Sequence, residues 1–98
     1  MSNIARRESI ATLLREAGGA HHHAFAHTNG EDPDWPRWYA EYLATPLGRL
    51  LDKPLAPAAL AADLVTVDAE HRAAPGRPDW PLYYADWFLS RYGDAASV

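Results

Sequence analysis

The chain carries one pattern twice: Pro33-Asp34-Trp35-Pro36-Arg37-Trp38-Tyr39-Ala40-Glu41-Tyr42-Leu43 returns as Pro78-Asp79-Trp80-Pro81-Leu82-Tyr83-Tyr84-Ala85-Asp86-Trp87-Phe88. The second copy begins 45 residues after the first, at position 78 instead of 33, and most differences exchange similar side chains. Such self-similarity indicates two copies of one supersecondary unit, neither of which buries its apolar face alone. The sequence therefore predicts an internal repeat.

The residues before each copy extend this repeat. With an offset of 50, the corresponding positions are Ile10 and Leu60, Ala11 and Ala61, Leu14 and Leu64, Ala17 and Val67, and His21 and His71. They recur at the three- and four-residue spacing of one helix face. The predicted unit is therefore a helix, a loop and a second helix, present once over about residues 4–44 and again over about residues 57–92.

Helix signals place the first helix of each unit. The first helix is expected over about residues 3–26 and remains continuous across Gly18-Gly19, although each Gly costs on the order of 1 kcal/mol relative to Ala. The third helix is expected over about residues 57–73. No stretch of the sequence shows the sustained alternation that is typical of a strand.

The second and fourth helices begin at the two Trp-Pro turns. Asp34 and Asp79 are predicted to cap them through their carboxylates, with a proline in each first turn, where no N–H is needed. The second helix is expected to end near Ala44, and a separate short turn should follow over residues 45–51. Gly93 is expected to end the fourth helix.

These elements define the expected fold. Ninety-eight residues suffice for one domain with a thin core. Two helical hairpins related by a pseudo-two-fold axis would bury their aromatic stripes against each other. We therefore expect an all-α fold, in which residues 1–98 form a single pseudo-two-fold bundle of two helix–loop–helix repeats, with four main helices and a short helical turn.

Composition narrows the class of protein. The chain contains no cysteine, which excludes disulfides, thiolate metal sites and a cysteine nucleophile. Its formal charge of −4 argues against a nucleic-acid partner, because nonspecific binding relies on clustered Lys and Arg. No apolar run approaches the roughly 20 residues of a membrane span, and charges interrupt the N-terminal segment where a signal peptide would be apolar. We expect a cytoplasmic protein without a membrane partner.

The motif also resembles a known group. His21-His22-x-Ala24-Phe25 followed by Asp32-Pro33-x-Trp35-Pro36-x-Trp38-Tyr39-Ala40-x-Tyr42-Leu43 is similar to a group of short bacterial helical proteins that have no assigned activity. The resemblance covers mainly the first half of the chain and the second Trp-Pro turn. It implies a helical fold and carries over no functional residue.

Two histidines are the candidate metal ligands. His21 and His71 lie on the apolar stripes of their helices, and Asp68 precedes His71 by three residues. Imidazole and carboxylate ligands suit Zn, Fe, Mn or Ni, and a carboxylate beside an imidazole can also tune a general base. The alternative is two core histidines that bond to Tyr, Trp or backbone groups. No cofactor is predicted outright, and a divalent metal is the candidate if one is bound.

Further residues are weaker candidates for binding. His23 and His27 have the i, i+4 spacing that can chelate a metal on an exposed helix face. The aromatic stripes consist of Trp35, Trp38 and Tyr42 in the first half and Trp80, Tyr83 and Trp87 in the second. These side chains either form the core or line a pocket for a flat or cationic ligand. Tyr39 and Tyr84 could place hydroxyls at the mouth of such a pocket.

Two functions follow as hypotheses. The first is a small cytoplasmic interaction module without catalytic activity, which would form a homodimer because the aromatic load is large for a thin core. The second is a metal- or small-ligand-binding protein, or an enzyme, built around inward-facing histidines. Its candidate ligand-binding residues are His21, His71, Asp68, Trp35, Trp38, Trp80 and Tyr83, of which the first three could also bind metal.

Overall fold

Four helices form the fold, as the sequence predicted. The computed structural model describes residues 3–29, 31–76 and 78–93. The four main helices are α1 (Asn3–Ala24), α2 (Trp35–Leu51), α3 (Pro57–Ala73) and α4 (Trp80–Phe88). A short 3-10 turn, Ala26–Thr28, follows α1, and a π-helical turn, Leu89–Gly93, continues from α4. The described residues contain no strand, so the all-α class is confirmed.

The helices enclose one apolar core. Both α1 and α3 pack against α2 and against α4. Positions that correspond in the repeat are buried alike, since Leu14 and Leu64 are each 1% exposed. Equal burial is what the repeat predicts, and the superposition of the two halves stays a prediction. The fully buried large side chains are Ile10, Leu14, Leu43, Leu47, Leu60, Leu64, Val67 and Phe88.

The predicted break before Thr45 and Pro46 is wrong, because α2 runs through both residues to Leu51. Proline removes one helical hydrogen bond, yet the helix persists on both sides of it. The physical reason is a continuous apolar stripe: Leu43 and Leu47, one turn apart, are both fully buried. The burial of this stripe outweighs the lost bond.

The first helix is shorter than predicted, since α1 ends at Ala24 instead of near Ala26. The chain then tightens into the 3-10 turn, and the Thr28 hydroxyl donates to the carbonyl of Phe25 over 3.0 Å. The i, i+4 interpretation of His23 and His27 is therefore wrong, because the two residues do not share one continuous α-helix.

The two predicted aspartate caps are also wrong in mechanism. Neither carboxylate bonds to the start of its helix. The Asp34 backbone N–H donates to the carboxylate of Asp32 over 3.1 Å, and the Asp79 carboxylate accepts from Arg15 over 3.2 Å. Both helices have a proline in the first turn, which needs no hydrogen-bond acceptor there.

The prediction that α1 continues across Gly18-Gly19 is confirmed. Gly18 leaves room for α4, because a Cβ atom at this position would lie 3.3 Å from Cζ2 of Trp80. The Trp80 ring therefore packs directly on the backbone of α1. This close approach fixes the ring at the junction of the two helical pairs.

Candidate functional site

A cleft of about 510 Å³ lies between the helices. All four helices and the α1–α2 loop contribute to its wall, which is formed by Leu14, His21, Asp32, Trp35, Tyr39, Leu64, Asp68, His71, Arg72, Trp80 and Tyr84. Its volume falls within the range of about 300–1,000 Å³ that is usual for small-molecule sites. We call this cleft the central cavity.

Most residues of the central cavity are equivalent in the sequence repeat. Four pairs of lining residues correspond: Leu14 with Leu64, His21 with His71, Trp35 with Trp80, and Tyr39 with Tyr84. The remaining three residues, Asp32, Asp68 and Arg72, belong to no such lining pair. The cavity therefore lies where the two halves of the chain meet, and its charged side chains make it asymmetric.

His21 forms a nearly buried pair with a carboxylate. Its Nε2–H donates to Oδ2 of Asp32 over 3.1 Å, and the two side chains are 10% and 9% exposed. The imidazole stacks on the ring of Tyr39, with 4.9 Å between the centroids, and contacts Phe25 at 4.7 Å. Because Asp32 belongs to the α1–α2 loop, this pair fixes that loop to α1.

His71 holds the other loop through a different acceptor. Its Nε2–H donates to the carbonyl oxygen of Pro78 over 2.6 Å. The ring also lies edge-on to Tyr83 and Tyr84, with centroid distances of 5.2 and 6.0 Å. Each cavity histidine therefore attaches the loop of its own half, His21 to a carboxylate and His71 to a neutral carbonyl.

Asp68 connects two further side chains of the cavity wall. One carboxylate oxygen accepts the Tyr84 hydroxyl over 3.3 Å, and the other lies 3.0 Å from Nε of Arg72. Burial, and next the negative charge of Asp68, raise the pKa of Tyr84 well above its ordinary value. Burial likewise raises the pKa of Tyr39, with a further contribution from Asp32. Both phenols are therefore neutral at physiological pH, and that of Tyr84 donates to Asp68.

The structure brings together five of the seven predicted binding residues: His21, His71, Asp68, Trp35 and Trp80 all line the central cavity. Trp38 and Tyr83 do not. Trp38 stacks on Tyr42 at 5.3 Å and turns its edge to His21. Tyr83 supports His71 from the side, so both residues pack behind the cavity histidines.

Sequence reasoning missed two charged residues of the cavity. Asp32 lies in a segment whose composition indicates only a loop, and Arg72 looks like an ordinary solvated helix residue. Spacing gave a partial signal for Arg72, since it follows Asp68 by four residues, where opposite charges meet on a helix. No pattern in the sequence pairs Asp32 with His21, because an irregular loop sets their contact.

The predicted metal ligands all line the central cavity, but each already has a protein partner. His21 bonds to Asp32, His71 to Pro78, and Asp68 to Tyr84 and Arg72. Within the part of the chain that the structure describes, no group of three or more His, Asp or Glu side chains is placed to hold a metal ion. The metal site stays a prediction.

Comparison of the chain with known protein families, with curated proteins and with solved structures finds no match. The resemblance to short bacterial helical proteins therefore stays a prediction. Among the described residues, no helix combines the length and the apolarity that crossing a bilayer requires.

Proposed function

We propose that this chain is a cytoplasmic small-molecule-binding protein, built on an internal repeat, whose ligand occupies the central cavity. The observation that carries the proposal is the convergence of both halves on one site. Each half contributes one Trp, one Tyr and one His, at equivalent positions of the sequence repeat, to a single cleft of about 510 Å³. Concave, mostly aromatic sites with a few polar groups are where proteins bind small molecules.

The polar groups of the cavity are already oriented. Asp32 fixes His21, the Pro78 carbonyl fixes His71, and Asp68 accepts from Tyr84. A ligand would therefore not have to order these side chains, and preorganisation of this kind reduces the entropic cost of binding. In each histidine these contacts use Nε2, so Nδ1 is the ring nitrogen that they do not occupy.

Binding is favoured over catalysis by the chemistry of the wall. None of the described residues that line the cavity is a Ser, Thr, Cys or Lys that could act as a nucleophile. Its tyrosines have raised pKa values, which makes their phenolates less accessible. The two histidines serve as hydrogen-bonding groups. Nε2 of each ring holds a loop, and Nδ1 is the second nitrogen for a bond to the proposed ligand.

Binding can be tested with a library of small organic compounds, using the indole N–H signals of the four tryptophans in NMR spectra. Ligands of the central cavity should shift the signals of Trp35 and Trp80, which line it. Trp87 is the internal control, because it is not part of the wall and its indole donates to Glu70 over 3.2 Å. Single Trp→Phe variants assign the signals. The proposal fails if no compound shifts the two cavity signals selectively.

A metal ligand is the second candidate, because His21, His71 and Asp68 all line the central cavity. Elemental analysis of tag-free protein, purified without added metal or chelator, tests it. If the protein contains about one metal per chain and the His71→Ala variant contains none, the ligand of the cavity is a metal ion and not an organic molecule. Arg72→Ala, in the same wall, is the control that should not change the metal content.

The interaction module remains an alternative proposal. Its support was the aromatic load, and the structure packs Trp35, Trp80 and Trp87 against the core of the same chain. Among the described residues, the large apolar side chains that stay exposed are Ile4, Tyr42 and Val65. A homodimer at tens of micromolar in light scattering would support this alternative, and a monomer would count against it.

A further inference from the structure

We infer that the ligand of the central cavity is an organic cation, an ammonium group on a small apolar body. This inference rests on the proposed function. It depends on the arrangement of the aromatic rings that line the cavity and on the charged side chains beside them.

The aromatic rings of the cavity form two corners. Trp35 and Tyr39 meet at an interplanar angle of 78°, and their equivalents Trp80 and Tyr84 meet at 76°. Each half of the chain thus supplies one Trp-Tyr corner to the same cleft. Aromatic faces carry negative charge density and attract cations, with Trp the strongest of the side chains. Several aromatic side chains around one small volume are typical of sites that recognise quaternary ammonium groups.

The charged side chains of the cavity wall also favour a cationic ligand. Among the described residues of the wall, two carboxylates, Asp32 and Asp68, line the cavity together with one guanidinium, that of Arg72. Arg72 is directed mainly to solvent, since its side chain is 69% exposed, whereas that of Asp68 is 24% exposed. A cation in the cleft would therefore lie beside aromatic side chains and two carboxylates, each of which already accepts a hydrogen bond within the chain.

An anionic ligand fits this wall poorly. The Tyr84 hydroxyl donates to Asp68, so its proton is not available to an anion. Nε of Arg72 is paired with Asp68, and the Arg72 side chain is mostly exposed to solvent outside the cleft. An anion would approach two carboxylates, one of them nearly buried, and desolvation would make that repulsion stronger.

The test compares choline with 3,3-dimethyl-1-butanol, which has the same shape with carbon in place of the charged nitrogen. Binding of each is followed by the indole signals of Trp35 and Trp80. We expect choline to bind on the order of tenfold more tightly than the alcohol. Equal affinities, or tighter binding of the alcohol, would overturn the cation class and leave the small-molecule function in place.

Two variants sharpen this comparison. Trp80→Leu keeps an apolar wall but removes its π face, and Asp68→Asn removes a charge at nearly constant size. Each should weaken choline binding about three- to tenfold and change binding of the alcohol little. Trp87→Leu, outside the cavity, is the matched control and should change neither affinity. If Trp80→Leu does not fold, Asp68→Asn alone decides, and an unchanged choline affinity contradicts the inference.

The proposed function and this inference fail separately. If neither choline nor the alcohol moves the cavity signals while other compounds of the library do, the cavity binds small molecules of another class and the cation inference is wrong. If no compound moves them, both proposals are wrong. Tighter binding of benzoate than of choline would also overturn the inference, because it assigns the opposite charge.

Discussion

The two halves of the molecule share most of their core positions and differ in the partners of their polar residues. The α1–α2 half attaches its loop with a buried His21–Asp32 pair, and the α3–α4 half uses the bond from His71 to the Pro78 carbonyl. At the position of Asp68, the first half has Gly18, 50 residues earlier. The halves differ as well in their last helix, since α2 has 17 residues and α4 has 9.

This difference shows how a repeated sequence pattern can line an asymmetric site. The shared leucines and aromatic residues set the packing of the helices and the Trp-Tyr corners. The polar residues that the repeat does not duplicate decide the charge on each side of the cavity. At one pair of positions, Gly18 supplies space for the Trp80 ring, while Asp68 supplies a carboxylate. A ligand would therefore meet different groups at the two sides and bind in one orientation.

In the comparison of the two halves, the largest expected effect on stability is at the leucines that they share. Leu14→Ala and Leu64→Ala should each lower the free energy of unfolding by about 2 to 3 kcal/mol. This is the lower part of the range for such substitutions, because both side chains already border the cavity. Urea unfolding measures the two losses. Losses that differ by more than about 2 kcal/mol would show that the two positions are not equivalent in packing.

The corresponding positions of Leu14 and Leu64 are an example of what the sequence could predict. Helical spacing and the doubled motif predicted four helices, the buried stripe of Leu14 and Leu64, and the approach of His21 and His71 to one region. These features depend on periodicity, which is visible in the chain. The path of α2 through Pro46 could not be predicted from local signals, because burial of Leu43 and Leu47 overrides the preference of proline.

The polar side of the site was predictable only in part. Asp68 shares a helix with His71, so spacing brought it into the candidate set. Asp32 lies in a loop, where no regular geometry relates it to His21, and only the folded structure shows the contact. The carboxylates of Asp34 and Asp79 occupy positions typical of caps, yet one of them bonds instead to Arg15 of another helix. Such long-range partners leave no local pattern.

The second test compares the two histidines. His21→Ala should cost about 2 kcal/mol of stability, because it leaves the nearly buried Asp32 carboxylate without its partner and removes three aromatic contacts. His71→Ala should cost about 1 kcal/mol, since it removes one bond to a carbonyl that stays exposed to water. Thermal and urea unfolding measure both. A larger loss for His71→Ala would contradict the assigned roles.

The third test uses the two cavity tyrosines at high pH. In the folded state burial raises the pKa of Tyr84 above its ordinary value of 10.0, and it also raises that of Tyr39. The stability that each contributes is fully present below pH 10 and is lost as the pH rises above it, because the unfolded state releases the proton first. Each tyrosine accounts for at most about 1.4 kcal/mol at pH 11.

Replacement by phenylalanine tests this linkage directly. Tyr84→Phe should flatten the loss of stability between pH 9 and pH 11, and Tyr39→Phe should do so to a smaller extent. Tyr42→Phe is the control, because this side chain is 39% exposed and has no carboxylate partner within the described contacts. Urea midpoints at several pH values provide the measurement. A control variant that flattens the profile as much as Tyr84→Phe would contradict the assignment.

The smallest test separates the two neighbouring glycines of α1. Gly19→Ala should raise stability by about 0.5 to 1 kcal/mol, because no atom lies within 4 Å of the new Cβ and alanine favours the helix. Gly18→Ala gains the same propensity, but its Cβ would press on the Trp80 ring at 3.3 Å. We expect that contact to cancel most of the gain and to shift the Trp80 indole signal. Equal stabilisation by both substitutions would mean that the Trp80 ring does not need the space at Gly18. Space at Gly18 would then no longer distinguish the first half of the molecule from the second, which has the Asp68 carboxylate at the corresponding position.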